Sequence, residues 1–325
     1  MTTRRDFVRF AGLSLGLGTI YTVAPGLHST ALGREFAGYS RHANGESVQP
    51  FTFLQLSDSH VGFNGPPDPL GIAAFERAVE VINAQPAKPD FVLFTGDLTH
   101  DSEDKDVHSQ RMKQFKEIAG RIKTPKTYLV PGEHDAGLDH GQLFREHFGD
   151  TNYSFDHKGV HFIALDNVSR SKPEVGPEQI AWLKKDLSRF PLTAPIVVFT
   201  HRPLFDLRPD WEWFTSDGDD VMNLLAPYQH VTVLYGHIHR DDEYAEGHVK
   251  HYAARSLIFA FPDSATTSEK KPIAFDKENP FRNLGLRSID VPADRAELAV
   301  RDVELTLREY SGINGIQQLT KSVIG

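Results

Sequence analysis

From residue 51 onward, short apolar runs alternate with longer stretches in which apolar residues recur at helical spacing. Short runs rich in apolar and β-branched residues predict buried strands, and a period of about 3.6 residues predicts amphipathic helices. We predict strands at residues 51–56, 91–95, 126–131, 153–155, 161–165, 196–200 and 231–235, and helices at residues 72–85, 113–122, 142–148 and 178–189. This alternation is typical of a layered α/β domain.

The last third of the chain has a weaker pattern. We expect more sheet at residues 251–258 and 286–291 and a strand pair at residues 296–307, whereas the polar, proline-containing residues 262–280 indicate a surface loop. The sequence contains no repeat and no low-complexity tract. We therefore predict one domain over residues 51–310, preceded by a linker at residues 32–50 and followed by a tail at residues 311–325.

The first 31 residues have a different character. Arg4 and Arg5 precede an uncharged run of small and apolar residues at positions 11–24, which is typical of a twin-arginine export signal. The run is short for a membrane span, so we expect cleavage after Ala31 and no stable membrane association afterwards. An uncut N-terminal anchor is the alternative. The prediction is a periplasmic or extracellular protein whose transient partner is the twin-arginine export machinery.

Composition limits the available chemistry. The 325 residues include no cysteine and sixteen histidines, so disulfides and thiolate ligands are excluded and metal donors must be His, Asp, Glu or Asn. The net charge of −9 disfavours a nucleic-acid partner, and no basic groove with interleaved aromatic residues is visible. An anionic substrate would need local positive charge, which bound metal ions supply.

Polar clusters follow the predicted strands at five places. A single histidine at a strand end is usually a hydrogen-bonded structural residue, but an ordered set of Asp, Glu and His at five strand ends points to metal binding. Glycines before three of the clusters allow tight turns and close backbone approach. The clusters are Asp58-Ser59-His60, Gly96-Asp97-Leu98-Thr99-His100, Gly132-Glu133-His134-Asp135, Thr200-His201-Arg202-Pro203 and Gly236-His237-Ile238-His239.

The five clusters resemble the sequence blocks of the calcineurin-like metallophosphoesterase family over about residues 51–241. The resemblance implies a four-layer α/β fold, a β-sandwich flanked by helices, with two metal ions that are Fe, Mn or Zn. It implies that the first metal is bound by Asp58, His60, Asp97 and His239, and the second by Asp97, Glu133, His201 and His237.

The resemblance also implies a mechanism. Asp97 would bridge the metals, and a hydroxide between them would attack the phosphorus of a small phosphoester in line. His134 would act as general acid or as a donor to the phosphoryl oxygens, and Asp135 would orient its ring.

The sequence departs from the family pattern at two positions. The family has Asn where this chain has Glu133, so either an anionic ligand reshapes the second site or the side chain turns outward and leaves that site weak. Purple acid phosphatases have Tyr where this chain has His100, so no charge-transfer colour is expected. We expect His100 and Asp101 to lie outside the ligand set or at the surface.

The sequence gives less evidence about which residues bind the substrate. Residues 205–220 form an aromatic and acidic loop that is either a lid or leaving-group pocket, or a locally packed cap. Arg202 and Arg240 flank ligand histidines and either bind phosphate or form surface ion pairs. The favoured function is an exported, metal-dependent hydrolase of phosphate mono- or diesters. The alternative is a catalytically inactive, phosphoesterase-like binding protein.

Overall fold

The computed structural model describes residues 48–293 and 297–306. The predicted export signal, most of the predicted linker and the predicted tail lie outside the described residues. The described chain forms eleven strands: β1 (Phe51–Leu56), β2 (Val92–Thr95), β3 (Thr127–Val130), β4 (Tyr153–His157), β5 (Val160–Ala164), β6 (Pro195–Phe199), β7 (His230–Tyr235), β8 (Asp242–Glu246), β9 (Val249–Ala253), β10 (Gly285–Val291) and β11 (Ala299–Glu304).

Six α-helices accompany the strands in the described part of the chain. They are α1 (Ala73–Ala84), α2 (Lys105–Ala119), α3 (Glu133–Ala136), α4 (Gln142–Phe148), α5 (Pro177–Leu187) and α6 (Gly218–Leu225). Among the described residues, no helix has both the length and the apolar character that crossing a membrane requires.

The strands form two sheets that pack face to face. The first has the order β11-β10-β1-β2-β3 and the second the order β4-β5-β6-β7-β9-β8. Strand β1 shows how the layers form, because alternate side chains point to opposite faces. Phe51 and Phe53 lie in the core between the sheets, where Phe53 meets Phe162 edge to face with ring centroids 5.4 Å apart. Leu54 and Leu56 pack on the opposite face.

Helices cover the two outer faces of this sandwich. One apolar cluster joins the first sheet to residues of α1, α2 and α4, and another joins the second sheet to residues of α5 and α6. The order is therefore helix, sheet, sheet, helix. This confirms the predicted four-layer α/β fold with a β-sandwich flanked by helices.

Parallel pairing decides where the polar clusters meet. Strands β1, β2 and β3 are parallel to one another, and β5, β6, β7 and β9 form a second parallel set. The carboxyl ends of parallel strands lie at one edge of a sheet, which is where α/β proteins place ligands. The five clusters directly follow β1, β2, β3, β6 and β7, so both sheets contribute loops to one site.

Three element predictions were wrong. Helix α2 begins at Lys105 rather than residue 113, because Asp104 caps it by accepting hydrogen bonds from the backbone N–H groups of Asp106 and Val107. Its first turn is polar and so lacks a hydrophobic period. The loop predicted at residues 205–220 ends earlier than expected, because helix α6 begins at Gly218. The predicted strand pair at residues 296–307 is, in its described part, the single strand β11, which pairs with β10.

Candidate metal centre

The backbone is strained where the predicted ligands lie. Five of the seven have positive φ angles, in a region that residues other than glycine rarely adopt. The loops hold one another in this conformation: the N–H of Asp58 donates to Gly96 O at 3.0 Å, and the N–H of His60 donates to Asp97 O at 2.9 Å. The φ values are 54° for Asp58, 39° for His60, 48° for Asp97, 67° for His237 and 52° for His239.

Two glycines allow these loops to approach closely, as predicted. A Cβ atom at Gly132 would overlap the carboxylate of Asp97, and one at Gly236 would overlap the Ser57 hydroxyl and crowd Asp58. Side chains at these positions would push the loops apart, so their absence is a condition for assembling the cluster.

The structure brings all seven predicted ligands together in two groups. The first group is Asp58, His60, Asp97 and His239, and the second is Asp97, Glu133, His201 and His237; within each group one donor atom per residue lies within 4.8 Å of the others. Asp97 belongs to both groups. Its Oδ2 is 3.3 Å from His60 Nε2 and 3.4 Å from His201 Nε2, which is the position expected of a bridging carboxylate.

Glu133 points into the second group. Its Oε1 is 2.8 Å from His237 Nδ1 and its Oε2 is 2.8 Å from His201 Nε2. Burial opposes the charge of Glu133, but the neighbouring His237, His201 and Arg202 outweigh it and hold the pKa of the carboxyl well below its usual range. The outward orientation left open by the sequence is therefore not the one observed.

Three of the histidines are oriented by backbone carbonyls. Nδ1 of His201 donates to Thr95 O at 2.7 Å, Nδ1 of His239 donates to Phe259 O at 2.9 Å, and Nε2 of His237 donates to Glu212 O at 3.1 Å. A carbonyl can only accept, so each bond places the proton on the outer ring nitrogen. The other nitrogen faces the site and is the one available to bind a metal.

The geometry and charge of the residues fit two cations. Bonds of about 2.0–2.1 Å from a common ion place neighbouring ligand atoms roughly 3 Å apart, and His60 Nε2 lies 3.1 Å from His239 Nε2. His201 Nε2 and Glu133 Oε2 are buried and, despite their proximity, lack a hydrogen bond of suitable geometry. Both atoms belong to the second group, and a shared cation would satisfy them. Buried carboxylates also require compensating positive charge.

His134 lies beside this cluster and is held by Asp101. Its Nδ1 lies 2.5 Å from Asp101 Oδ1, and its backbone N–H donates to Asp97 Oδ1 at 3.0 Å. Burial lowers the pKa of His134, but the carboxylates of Asp97, Asp101 and Glu133 outweigh burial and raise it to about 9. Asp101 thus fixes the orientation of the His134 imidazole beside the cluster.

The predicted role of Asp135 in orienting the His134 ring was wrong. The Asp135 carboxylate accepts from the backbone N–H groups of Leu98, Thr99 and Gly132 at 2.8–2.9 Å. Its two oxygens face the loop after β2 because α3 turns residue 135 away from the ring of its neighbour. Asp135 therefore braces two ligand loops against each other.

The two flanking arginines have different partners in the structure. Arg202 is buried, its Nη1 donates to Glu212 O at 2.8 Å, and its Nη2 is 3.6 Å from Glu133 Oε1. Arg240 instead forms an ion pair with Asp263 at 2.9 Å. Arg202 therefore supplies positive charge at the second group, whereas Arg240 forms the surface pair.

The aromatic loop at residues 205–220 is a packed cap. Trp211 and Trp213 are buried in a cluster with Tyr235 and Ile238, and the two indoles meet edge to face at 4.8 Å. Their rings are therefore not free to stack on a substrate. The backbone of this cap still serves the site, because Glu212 O orients both His237 and Arg202.

Lys270, which lies in the predicted surface loop, was not among the residues predicted to lie near the site. Its Nζ donates to Trp211 O at 2.7 Å, and its charge is felt by Glu133 and Asp97. Burial lowers the pKa of Lys270, with Glu133 and Glu212 opposing that effect. A lysine in a polar loop has no distinguishing pattern, so only the fold reveals that it binds the cap at Trp211, the neighbour of Glu212.

Two groups of ligands around a shared aspartate, at the carboxyl-end edge of a helix-flanked β-sandwich, define a metal-dependent phosphoric ester hydrolase. The chain belongs to the calcineurin-like phosphoesterase family, whose model matches residues 51–241.

Curated relatives agree with this assignment, and a solved structure shares the fold. A protein named probable glycerophosphodiester phosphodiesterase from Arcobacter nitrofigilis is 28% identical over 202 residues, which are 58% of this chain and 71% of that protein. A Homo sapiens serine/threonine-protein phosphatase is 28% identical over 67% of this chain and 78% of its own length. A 3',5'-cyclic-nucleotide phosphodiesterase from a Nostoc species is 25% identical over 73% and 88%, respectively. The crystal structure of a dimetal phosphatase from Danio rerio shares the fold, with a TM-score of 0.57 and 13% identity over 79% of this chain and 98% of that one.

Proposed function

We propose that this protein hydrolyses small phosphate mono- or diesters with two metal ions bound at the centre described above. The observation that carries the proposal is the pair of four-residue donor groups that share Asp97. Mixed carboxylate and imidazole donors suit Fe, Mn or Zn. When bound, the two cations supply Lewis-acid stabilisation of phosphoryl charge and an ionised water as the nucleophile.

The residues beside the ligands have complementary tasks. His134 donates a proton to the leaving oxygen, because its ring lies beside the first group, with its centroid 4.8 Å from that of His60. Asp101 fixes the ring in the donating orientation. Arg202 lies near the second group, and Lys270 binds the carbonyl of Trp211 in the adjoining cap. Both provide positive charge for the phosphoryl oxygens.

Measuring the metal content and the hydrolytic activity of the purified protein tests this proposal. We expect the purified protein to carry two metal ions per chain and to hydrolyse bis(p-nitrophenyl) phosphate or p-nitrophenyl phosphate. Asp97→Ala removes a ligand from both groups and should lose both metals and the activity. Asp150→Ala, at an exposed carboxylate, is the matched control and should keep both. A wild-type protein that binds metal but turns over neither ester would support the alternative of a binding protein.

We also propose that the enzyme works in the periplasm or outside the cell. The support is the arginine pair before an uncharged run at the N-terminus. Export by the twin-arginine machinery carries folded proteins, so the metals would be loaded in the cytoplasm. Replacing Arg4 and Arg5 by lysine should retain the full-length protein inside the cell, as measured by fractionation and mass spectrometry. Unchanged secretion of that variant would contradict the assignment.

A further inference from the structure

The outer partner of His60 differs from that of the other predicted histidine ligands. His201, His237 and His239 each donate to a backbone carbonyl. The Nδ1 of His60 instead faces the Nδ1 of His100 at 3.3 Å. An imidazole nitrogen, unlike a carbonyl, is either a donor or an acceptor, so this contact works only if the two rings adopt complementary tautomers.

The position of His60 in the first group selects one of the two tautomer pairs. Nε2 of His60 faces the site, 3.3 Å from Asp97 Oδ2 and 3.1 Å from His239 Nε2. If this nitrogen is to bind a cation, the proton of the neutral ring must be on Nδ1. His100 Nδ1 must then be the acceptor, and the proton of His100 is on Nε2.

The surroundings of His100 favour that tautomer and hold the ring in place. Its Nε2 lies 3.9 Å from Asp101 Oδ1, so a proton on Nε2 faces a carboxylate. The ring stacks on His134 with centroids 4.7 Å apart and an angle of 26°. Arg111 Nη1 donates to the carbonyls of His100 and Asp101 at 3.0 and 2.5 Å, which fixes the backbone on which the ring depends.

We propose that His100 is a positioning residue that accepts the Nδ1 proton of His60 and thereby sets the cation affinity of the first group. This inference rests on the proposed metal-dependent function. His100 contacts both a predicted ligand and the predicted proton donor, and it shares Asp101 with His134. Removing the outer partner of a metal-bound histidine typically lowers metal affinity about 10- to 100-fold.

Three substitutions at this position distinguish the effect of the Nδ1 acceptor from that of the aromatic ring. The amide oxygen of Asn can occupy the place of Nδ1, whereas that of Gln reaches the place of Nε2 instead. His100→Asn should therefore bind the first cation within a factor of about 3 of the wild type, and His100→Gln should bind it about 10- to 100-fold more weakly. His100→Phe keeps a planar ring without an acceptor and should behave like His100→Gln.

Calorimetric titration of the metal-free proteins with Zn²⁺ measures these affinities independently of turnover. Thermal unfolding of each metal-free variant verifies that it folds. Phe63→Leu is the control, because Phe63 touches the His100 ring edge to face at 5.2 Å without joining the nitrogen contact. Phe63→Leu should leave the affinities for the first and the second cation unchanged.

The outcomes distinguish this inference from the proposed function. If the wild type binds two cations and His100→Asn and His100→Gln bind them equally well, the role of His100 is wrong and the metal centre stands. Equal weakening of both variants also overturns the acceptor role, because only the ring would then matter. If the wild type binds no cation, both proposals fall.

Discussion

Asp101 Oδ1 lies 2.5 Å from Nδ1 of His134, whereas the carboxylate of Asp135, the next residue in the chain, accepts from the backbone of the loop after β2. The two aspartates therefore have different tasks. Asp101 is partly exposed and acts on the His134 ring, and Asp135 is buried and joins two ligand loops.

The first prediction concerns proton donation by His134. His134→Gln should lower kcat about 100-fold for esters with a poor leaving group, because general acid catalysis contributes about 10²–10⁴-fold. The loss should be much smaller for p-nitrophenyl esters, whose leaving oxygen needs no proton. Asp101→Asn should show the same leaving-group dependence with a smaller loss, about 10-fold. Steady-state kinetics over a series of leaving groups measures both.

Asp135→Asn is the matched comparison for Asp101→Asn. It replaces an oxygen that accepts backbone N–H groups by an amide donor, so it should destabilise the protein by about 1–3 kcal/mol. Thermal unfolding of the metal-free protein measures this effect. A selective loss of leaving-group protonation in Asp135→Asn, with unchanged stability, would restore the role that the sequence predicted for it.

The second prediction concerns loop approach at Gly236. Gly236→Ala should reduce metal content and activity together, because the added methyl group would overlap Ser57 and crowd Asp58. Gly247→Ala is the control. Its φ of 60° makes alanine strained there, but nothing lies within 4 Å of the added atom. That variant should lose roughly 1 kcal/mol of stability and keep both metals. Metal analysis and thermal unfolding separate the two effects.

The third prediction concerns Lys270. Lys270→Ala should raise KM about 10-fold for a phosphomonoester dianion and less for a diester monoanion, because the loss of a nearby cation costs more for the higher charge. Metal content should not change. Lys271→Ala, at an exposed neighbouring position, is the control and should leave KM unchanged. Equal KM values for wild type and Lys270→Ala on both esters would show that Lys270 does not contribute to substrate binding.

The fourth prediction concerns the pH dependence of stability through Asp68, a buried residue that accepts a hydrogen bond from Leu70 N at 2.7 Å. Burial raises the pKa of Asp68 from 3.8 to about 7. Between these values the folded state binds more protons than the unfolded state, so the stability contributed by this group falls as the pH rises.

Asp68→Asn should therefore stabilise the protein above pH 7, by up to roughly 4 kcal/mol, and change little below pH 4. The amide oxygen can still accept from Leu70. Melting temperatures measured from pH 4 to pH 8 test the prediction, with the exposed Asp150→Asn as control. A difference between Asp68→Asn and wild type that does not vary with pH would refute it.

Much of the fold was predictable from sequence because its signals are local. The alternation in β1, which places Phe53 between the sheets and Leu54 under the helices, follows from the two-residue period of a strand. The elements that were missed have weak local signals. The polar start of α2 depends on a cap at Asp104, and β8 is an edge strand with mostly exposed residues.

The sequence by itself determined which side chains follow which strands, and therefore that Asp58, Asp97, Glu133, His201 and His237 lie at the carboxyl ends of strands. Only the tertiary structure decided that Glu133 points inward, that Asp101 rather than Asp135 holds His134, and that Lys270 binds the cap at Trp211. The physical reason is the range of the interactions. Strand periodicity and strand-end position are set within a few neighbouring residues, whereas the partner of each side chain depends on how loops from separate strands and two sheets pack against one another.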